Sequence, residues 1–326
     1  MSKIAIVLLN LGGPDSPEAV RPFLFNLFCD RRIINLPNPL RYCLAWWISS
    51  RRFREARKIY SQMGGKSSIL PETNMQAKLL GDLLGPRYEV FVAMRHWHPF
   101  IQQSAARING GEFTEAILLP LYPQFSTTTS LSSIEQCLKI LRIPTQIVCC
   151  YYDNQLFIEA HVETILPIYT NACALGKPIV LFSAHGLPLS VIEAGDPYKF
   201  QVEESVKRIV SALKIENLDW ELCYQSKVGK AKWLCPDTES TIRSHSGRPI
   251  VVVPIAFVSE HSETRVELDV EYASLAKVGY FRVPTLSAHP KFIRCLAELC
   301  LLSSRREAES ECSMKHKMCF CRSKVE

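Results

Sequence analysis

The sequence has 326 residues, of which 47% are hydrophobic and 21% are charged, as in an ordinary globular protein. A formal net charge of +6 without a basic stripe argues against nucleic-acid binding and suits an acidic small molecule or an anionic membrane surface. The start of the chain lacks a signal peptide and no stretch is long enough to span a bilayer, so we expect a cytoplasmic protein with reduced thiols.

The first predicted strand, 4–9, runs into Gly12-Gly13-Pro14. This turn lacks the pattern G-x-G-x-x-G, and Pro14 removes an amide donor where a phosphate would need one. We therefore predict no nucleotide site. The turn either brings the backbone close to a flat ligand or starts a helix with Ser16 as its N-cap.

The segment 40–48 is apolar, contains Trp46-Trp47 and is followed by the basic run 51–54. A buried core helix is the simplest interpretation. The alternative is an apolar lip with a basic flank, which lies at a membrane interface or shapes the mouth of an apolar pocket.

Strand-like runs at 88–94, 116–121 and 146–152 alternate with helical patterns. This rhythm predicts a doubly wound α/β architecture with parallel sheets, and it restarts near Ile179. We divide the chain into an N-terminal unit (1–160), a C-terminal unit (161–302) and a cysteine-bearing tail (303–326).

Arg95 follows the second predicted strand, within the segment Met94-Arg95-His96-Trp97-His98-Pro99. An arginine beside aromatic and imidazole rings can hold a carboxylate against a planar π-system. The segment is equally consistent with a surface loop.

Two further apolar runs end abruptly in ionisable residues. The run 179–182 leads to His185, and the run 251–257 leads to the acid-rich stretch that contains Glu263. Ligands of open α/β sheets bind beyond the carboxyl ends of the strands, so we expect both groups to face one cleft. An imidazole base beside carboxylates suits proton removal and the handling of a divalent metal.

Glu263, Glu267 and Glu271 are spaced i, i+4, i+8 and would share one helix face. A solvated face is the usual meaning of such a stripe. Because no basic residue is interleaved on it, we favour a path for cations.

The tail places Cys312, Cys319 and Cys321 within ten residues of sequence that is poor in aliphatic side chains. Incidental cysteines are one interpretation. Ligation of a metal or an iron–sulfur cluster is the other, and His316 would join a zinc site.

Six segments together resemble the ferrochelatases, in the order and spacing of that family and over nearly the whole chain. They are Leu9-Asn10-Leu11-Gly12-Gly13-Pro14, Met94–Pro99, Leu121-Tyr122-Pro123-Gln124-Phe125-Ser126, Phe182-Ser183-Ala184-His185-Gly186-Leu187-Pro188, Tyr224-Gln225-Ser226-Lys227-Val228-Gly229 and Val258-Ser259-Glu260-His261-Ser262-Glu263-Thr264.

The resemblance implies two Rossmann-like domains with a porphyrin cleft between them, and insertion of Fe²⁺ into protoporphyrin IX with release of two protons. His185 would be the catalytic, metal-approaching histidine and Glu263 its paired acid, while Glu267 and Glu271 would continue the acidic path for the metal. The positions that the resemblance assigns to porphyrin binding are Leu11, Arg95, His96, Tyr122, Ser126 and Thr127.

Some family members carry a [2Fe–2S] cluster, and the tail spacing resembles a bacterial version of it. In animal members the fourth cysteine falls where this chain has Thr127. Cys137 is our candidate for the remaining ligand, ahead of Cys149 and Cys150. Peripheral membrane contact and a monomeric or homodimeric state stay open. The competing functions are a chelatase for another tetrapyrrole or metal and a haem or iron sensor.

Overall fold

The computed structural model describes residues 3–227, 229 and 231–304. The first half contains β1 (Lys3–Asn10), α1 (Val20–Phe28), α2 (Leu40–Ser61), α3 (Ile69–Leu84), β2 (Tyr88–Met94), α4 (Ile101–Asn109), β3 (Phe113–Pro120), α5 (Ser130–Ile140) and β4 (Thr145–Ile147). The second half contains α6 (Gln155–Cys173), β5 (Ile179–His185), α7 (Leu189–Glu193), α8 (Tyr198–Leu213), β6 (Trp220–Gln225), α9 (Thr238–Ser244), β7 (Pro249–Pro254), a π-helix (Glu263–Tyr272), a 3₁₀ turn (Ala273–Leu275), β8 (Gly279–Arg282) and α10 (Pro290–Ser304).

The eight strands form two parallel sheets of four, in the orders β2-β1-β3-β4 and β6-β5-β7-β8. The central strands are apolar along their length because helices cover both faces of each sheet. In β1, the side chains of Ile4, Ile6 and Leu8 enter one core, while those of Ala5, Val7 and Leu9 enter another. The predicted α/β class with parallel sheets is confirmed.

The two sheets share part of one core. Leu8 from β1 and Val253 from β7 belong to the same cluster of buried side chains. Helix α6, which contains the predicted boundary at residue 160, packs against α8 and β7 of the second unit, whereas α10 returns to pack against α3 and β3 of the first unit. The helices therefore tie the two units together more closely than a linker would.

The two glycines after β1 serve packing within the protein. Gly12 has φ +86°, and a Cβ atom there would stand 3.0 Å from the main-chain nitrogen of Trp97. The turn after β1 also pairs with the turn after β2, since His96 N donates to the carbonyl of Leu11 at 2.9 Å. Glycine is needed here because the two turns approach closely.

Candidate active site

Strands β5 and β6 end side by side, with His185 paired in register with Gln225. The π-helix that follows β7 begins at Glu263. His185 Nδ1 lies 2.8 Å from Glu263 Oε2, although 78 positions separate the two residues. Because the carboxyl ends of parallel strands meet at one edge of a sheet, the fold brings this histidine and this acid into contact at the edge where ligands bind.

The contact between His185 and Glu263 shifts both pKa values. Burial acts to raise the pKa of Glu263, but the neighbouring His185 outweighs it and holds the pKa below its ordinary value. Burial likewise acts to lower the pKa of His185, and the charge and hydrogen bond of Glu263 outweigh it, so the pKa rises. With Nδ1–H donated to the carboxylate, the Nε2 atom of His185 keeps the lone pair that accepts a proton.

Ser226 joins Glu263 to Glu267. Its hydroxyl lies 3.0 Å from Glu263 Oε2 and 2.6 Å from Glu267 Oε2, and its main-chain N–H donates to Glu267 Oε1 at 2.8 Å. Tyr272 donates to the same Oε1 atom at 2.8 Å. Ser226 adopts φ +63°, a left-handed conformation that is rare for residues other than glycine and that points to a function.

The predicted helix with the acidic face is a π-helix, a form frequent at functional sites. Glu263 and Glu267 are half-buried and Glu271 is exposed, so the carboxylates lead from His185 towards solvent. Burial, together with the charges of Glu267 and of Glu55 on α2, raises the pKa of Glu271. Within the described part of the chain, no three His, Cys, Asp or Glu side chains are grouped so that they could hold a metal ion.

Arg95 is engaged by an acid from another loop. Its Nη2 atom lies 2.9 Å from Asp30 Oδ2, and its Nε atom donates to Ser132 Oγ at 2.7 Å. The hydroxyl of Ser132 in turn donates to the same Asp30 oxygen. The guanidinium is thereby fixed in orientation, while a fifth of the side chain stays accessible at 20%.

His96 does not reach the cleft as the resemblance implies. It is 2% exposed, and its Nε2 atom lies 3.8 Å from Asp30 Oδ2. Burial and the adjacent Arg95 lower its pKa to about 3, so the ring is neutral at physiological pH. In this structure His96 packs behind Arg95 and Asp30 and has almost no surface for a ligand.

A cavity of about 880 Å³ lies between the two units, within the size range of small-molecule sites. Residues from both units line it, among them Arg41, Arg95, Thr127, Lys139, Ser190 and Asp196. His185 and Glu263 are not in this lining, although Ser190 lies on α7, the short helix that follows the β5 strand of His185. The cavity therefore brings a group of arginines of the first unit opposite α7 of the second, and the His185–Glu263 pair lies outside its lining.

The remaining predicted porphyrin positions differ in their access to this cavity. Thr127 lines it, while Ser126 is buried and Leu11 and Tyr122 are half-buried outside the lining. We call residues 122–128 the wall segment, because it carries three of these positions between β3 and α5.

Cys137 does not fit a cluster ligand in this structure. It is 1% exposed on the buried face of α5, and burial raises the pKa of its thiol to about 12. A metal ligand must be a thiolate, which this environment disfavours. The other three predicted ligands, Cys312, Cys319 and Cys321, lie outside the described residues.

Helix α2 exposes the apolar side chains that the sequence left ambiguous. Trp46 is 58% and Trp47 is 51% exposed, and the guanidinium groups of Arg21 and Arg51 lie over their rings at 5.9 and 5.1 Å. We call this surface the α2 aromatic face. Among the described helices, none has the length and apolar character that a bilayer crossing requires.

Sequence reasoning named the segment that contains Gln225 and Ser226 but gave neither residue a role. The signal was present, since the motif follows a strand that neighbours the strand of His185. The sequence did not indicate a role for Asp196.

Comparisons with known proteins identify relatives that match nearly the whole length of the chain. The ferrochelatase family model matches residues 3–303. A protein named ferrochelatase from Wolbachia sp. subsp. Drosophila simulans (strain wRi) is 56% identical over 311 residues, which covers 92% of this chain and 99% of that protein. Its namesake from Rickettsia bellii (strain OSU 85-389) is 46% identical over 340 residues, covering 98% and 95%.

Solved structures show the fold at much lower identity. CbiX, described as the terminal enzyme for biosynthesis of siroheme in denitrifying bacteria, superimposes with a TM-score of 0.54 at 14% identity and covers 92% of this chain and 99% of its own. DR2241 from Deinococcus radiodurans, described as structurally similar to chelatases, gives 0.52 at 11% identity and covers 93% and 55%. The chain therefore has the chelatase fold.

Proposed function

The chain belongs to the ferrochelatase family, and we propose that it inserts Fe²⁺ into protoporphyrin IX with His185 and Glu263 as the reacting groups. The observation that carries the assignment of these residues is their 2.8 Å hydrogen bond at the carboxyl edge of the second sheet. The reaction joins a free-base porphyrin and Fe²⁺ into protohaem and releases two protons.

His185 acts as the base for those protons. Each of the two porphyrin N–H groups must lose its proton before the ring nitrogens all bind iron. A neutral imidazole accepts a proton at Nε2, and the Glu263 carboxylate at Nδ1 stabilises the imidazolium that forms. Ser226 and Gln225 hold Glu263 in the orientation that this requires.

The porphyrin is bound between the two units. A planar free-base ring offers no lone pair along the path of an approaching ion, so the walls of the cleft should bend it and expose pyrrole nitrogens. The cations that line the cavity, Arg41, Arg95 and Lys139 among them, suit the propionate carboxylates of the substrate.

The acidic face provides a charged route between the reacting groups and solvent. Carboxylate oxygens bind hard cations. The carboxylates of Glu263, Glu267 and Glu271 follow one another along the helix and do not surround a single metal position. We assign Glu267 and Glu271 to the passage of cations, Fe²⁺ inward or protons outward.

Two other functions are less well supported. A chelatase for another tetrapyrrole or metal shares this fold, but the curated relatives with high identity are named ferrochelatases. A haem or iron sensor would not need the His185–Glu263 pair.

The function is tested by mixing the purified protein with Fe²⁺ and protoporphyrin IX without oxygen and following the visible bands of the porphyrin. We expect repeated turnover to the metalloporphyrin spectrum. Parallel reactions with coproporphyrin and with Co²⁺ show whether another substrate is preferred. Binding shifts without turnover in every reaction would overturn the enzyme assignment in favour of a sensor.

Two further proposals concern segments outside the catalytic pair. The α2 aromatic face is proposed to contact a membrane surface peripherally, because it combines exposed tryptophans with arginines. The tail cysteines are proposed to bind iron or zinc. Iron, zinc and acid-labile sulfide in protein purified without oxygen, compared with a variant ending at Ser304, decide the second proposal; equal contents in the two proteins would reject it.

A further inference from the structure

Asp196 is a buried carboxylate between the two units of the fold. It follows Gly195, which adopts φ +97°, and precedes α8, the helix that begins at Tyr198. Asp196 is 4% exposed and lies in the lining of the 880 Å³ cavity. A buried acid is costly unless it is fully hydrogen-bonded, so its partners define what it does.

One oxygen of Asp196 holds the wall segment of the first unit. Oδ2 accepts from Ser126 Oγ at 2.9 Å, from the main-chain nitrogen of Thr127 at 2.7 Å and from Thr127 Oγ1 at 2.6 Å. These three donors converge on a single charged atom, which makes each bond stronger than one between neutral groups.

The other oxygen of Asp196 leads to His185. Oδ1 accepts from the main-chain nitrogen of Tyr198 at 2.9 Å, and the hydroxyl of Tyr198 donates to the carbonyl oxygen of His185 at 3.0 Å. The same helix also holds the wall segment through Gln201, whose Oε1 atom accepts from the main-chain nitrogen of Phe125 at 2.7 Å. The start of α8 therefore contacts the cleft wall of one unit and the strand of His185 in the other.

We propose that Asp196 is a positioning residue that sets the distance between the wall segment and His185, and thereby the fit of the porphyrin in the cleft. The inference deepens the proposed function and depends on it. A macrocycle that is bent between two walls is sensitive to their spacing, and Asp196 joins the wall segment to the strand of His185 through Tyr198.

Substitution of Asp196 by Asn tests this with little change in shape. One position of the carboxylate then carries an amide N–H, which must face either the donors of the wall segment or the N–H of Tyr198. We expect the dissociation constant of protoporphyrin, measured by quenching of its fluorescence, and its KM to rise about tenfold, which corresponds to about 1.4 kcal/mol. The KM of Fe²⁺ should stay unchanged, because the His185–Glu263 pair keeps its bonds to Ser226 and Gln225.

Asp219→Asn is the matched control. Asp219 pairs with Arg248 and lies just before β6, at the amino end of the strand, whereas His185 lies at the carboxyl end of the neighbouring strand. The control variant should leave both KM values and the porphyrin dissociation constant at wild-type level. A weaker substitution, Thr127→Val, removes one of the three donors to Oδ2, and its effect should be smaller than that of Asp196→Asn and not additive with it.

The outcomes separate the two proposals. A wild-type protein that binds protoporphyrin but turns over no iron refutes the proposed function, and the binding constants still test Asp196. Unchanged porphyrin binding in Asp196→Asn overturns the inference. So does an equal rise in the KM of Fe²⁺, which a merely structural role would produce. An additive double variant overturns it too, because it would show that Thr127 and Asp196 do not act through their shared hydrogen bond.

Discussion

The side-chain amide of Gln225 donates to the main-chain carbonyl of Glu263 at 3.0 Å. Because Gln225 ends the strand next to that of His185, this bond ties the first turn of the π-helix to the strand pair that carries the histidine. Ser183 fixes the amide by donating to its oxygen at 2.8 Å. The main chain of Glu263 is thus fixed by a bond that involves neither its carboxylate nor the His185 ring, so a substitution at either residue removes chemistry with little rearrangement.

His185→Ala should lower kcat for iron insertion by about 10²–10⁴-fold, the contribution of a positioned proton acceptor. Porphyrin binding should survive, since the arginines and the wall segment are untouched. His245→Ala is the control, because His245 also bonds to a glutamate, Glu221 at 2.9 Å, but lies at the other end of the sheet. Unchanged turnover in His185→Ala would refute the assignment of the base.

Glu263→Gln should move the acid limb of the kcat–pH profile to lower pH. His185 accepts protons only when neutral, so activity of the wild type falls as pH drops through its pKa, which Glu263 raises. Without the carboxylate this pKa decreases, and the fall occurs at lower pH, with a lower maximal kcat. Profiles of kcat against pH for both proteins provide the measurement; coincident acid limbs would contradict the coupling.

Two substitutions of Ser226 separate the effect of its hydroxyl group from that of its left-handed backbone conformation. Ser226→Ala loses the donor to both carboxylates and keeps φ +63°, whereas Ser226→Gly loses the donor and relieves the strained conformation. We expect kcat/KM to fall about tenfold in both, for a lost hydrogen bond to charge. In urea unfolding, the Gly variant should be more stable than the Ala variant by about 1 kcal/mol. Activity retained by both variants would exclude a role for the hydroxyl.

The fold followed from the sequence because its strands are apolar runs that alternate with helical patterns, and parallel topology then places strand ends together. That argument located His185 near Glu263, since His185 ends one strand and Glu263 follows the end of the neighbouring strand. It could not reveal that the acidic helix is a π-helix, because the i, i+4, i+8 spacing of its acids does not distinguish an α-helix from a π-helix.

The hydrogen bonds between the two units also could not be predicted from the sequence. Asp196 accepts a hydrogen bond from Thr127, which is 69 positions away, and the hydrophobic periodicity of the sequence does not indicate such a contact. His96 shows the same limit, since its motif predicts a ligand contact, whereas the burial of its ring at 2% exposure depends on the loops packed around it. Side chains at strand ends are predictable from topology, whereas the bonds that orient them depend on loops with no repeating pattern.

The α2 aromatic face should direct membrane binding. Trp46→Ser combined with Trp47→Ser removes exposed apolar area, and we expect this double variant to lose flotation with anionic liposomes. Arg51→Ala and Arg52→Ala should each weaken membrane binding by about 1 kcal/mol, and this effect should depend on salt. Phe200→Ser is the control, as Phe200 is an exposed aromatic residue on α8. Wild-type protein left wholly in the bottom fraction would refute membrane contact.

His161 should make the protein less stable in acid. The ring is 1% exposed on α6, neither nitrogen has a hydrogen-bond partner among the described residues, and burial, followed by the charge of His289, lowers its pKa to about 3. The unfolded chain binds this proton near pH 6.5, so its contribution to stability is complete above that pH and is lost as pH falls towards 3, by roughly 1 kcal/mol per pH unit.

His161→Phe removes this titration and the unpaired buried nitrogens while keeping an aromatic ring against Phe157, whose ring centroid lies 4.7 Å away. We therefore expect the variant to raise the melting temperature more at pH 5 than at pH 8. His98→Phe, at an exposed position, should show no such difference. Calorimetry of the three proteins at both pH values tests the argument, and an equal shift at pH 5 and pH 8 would show that the proton on His161 does not limit stability.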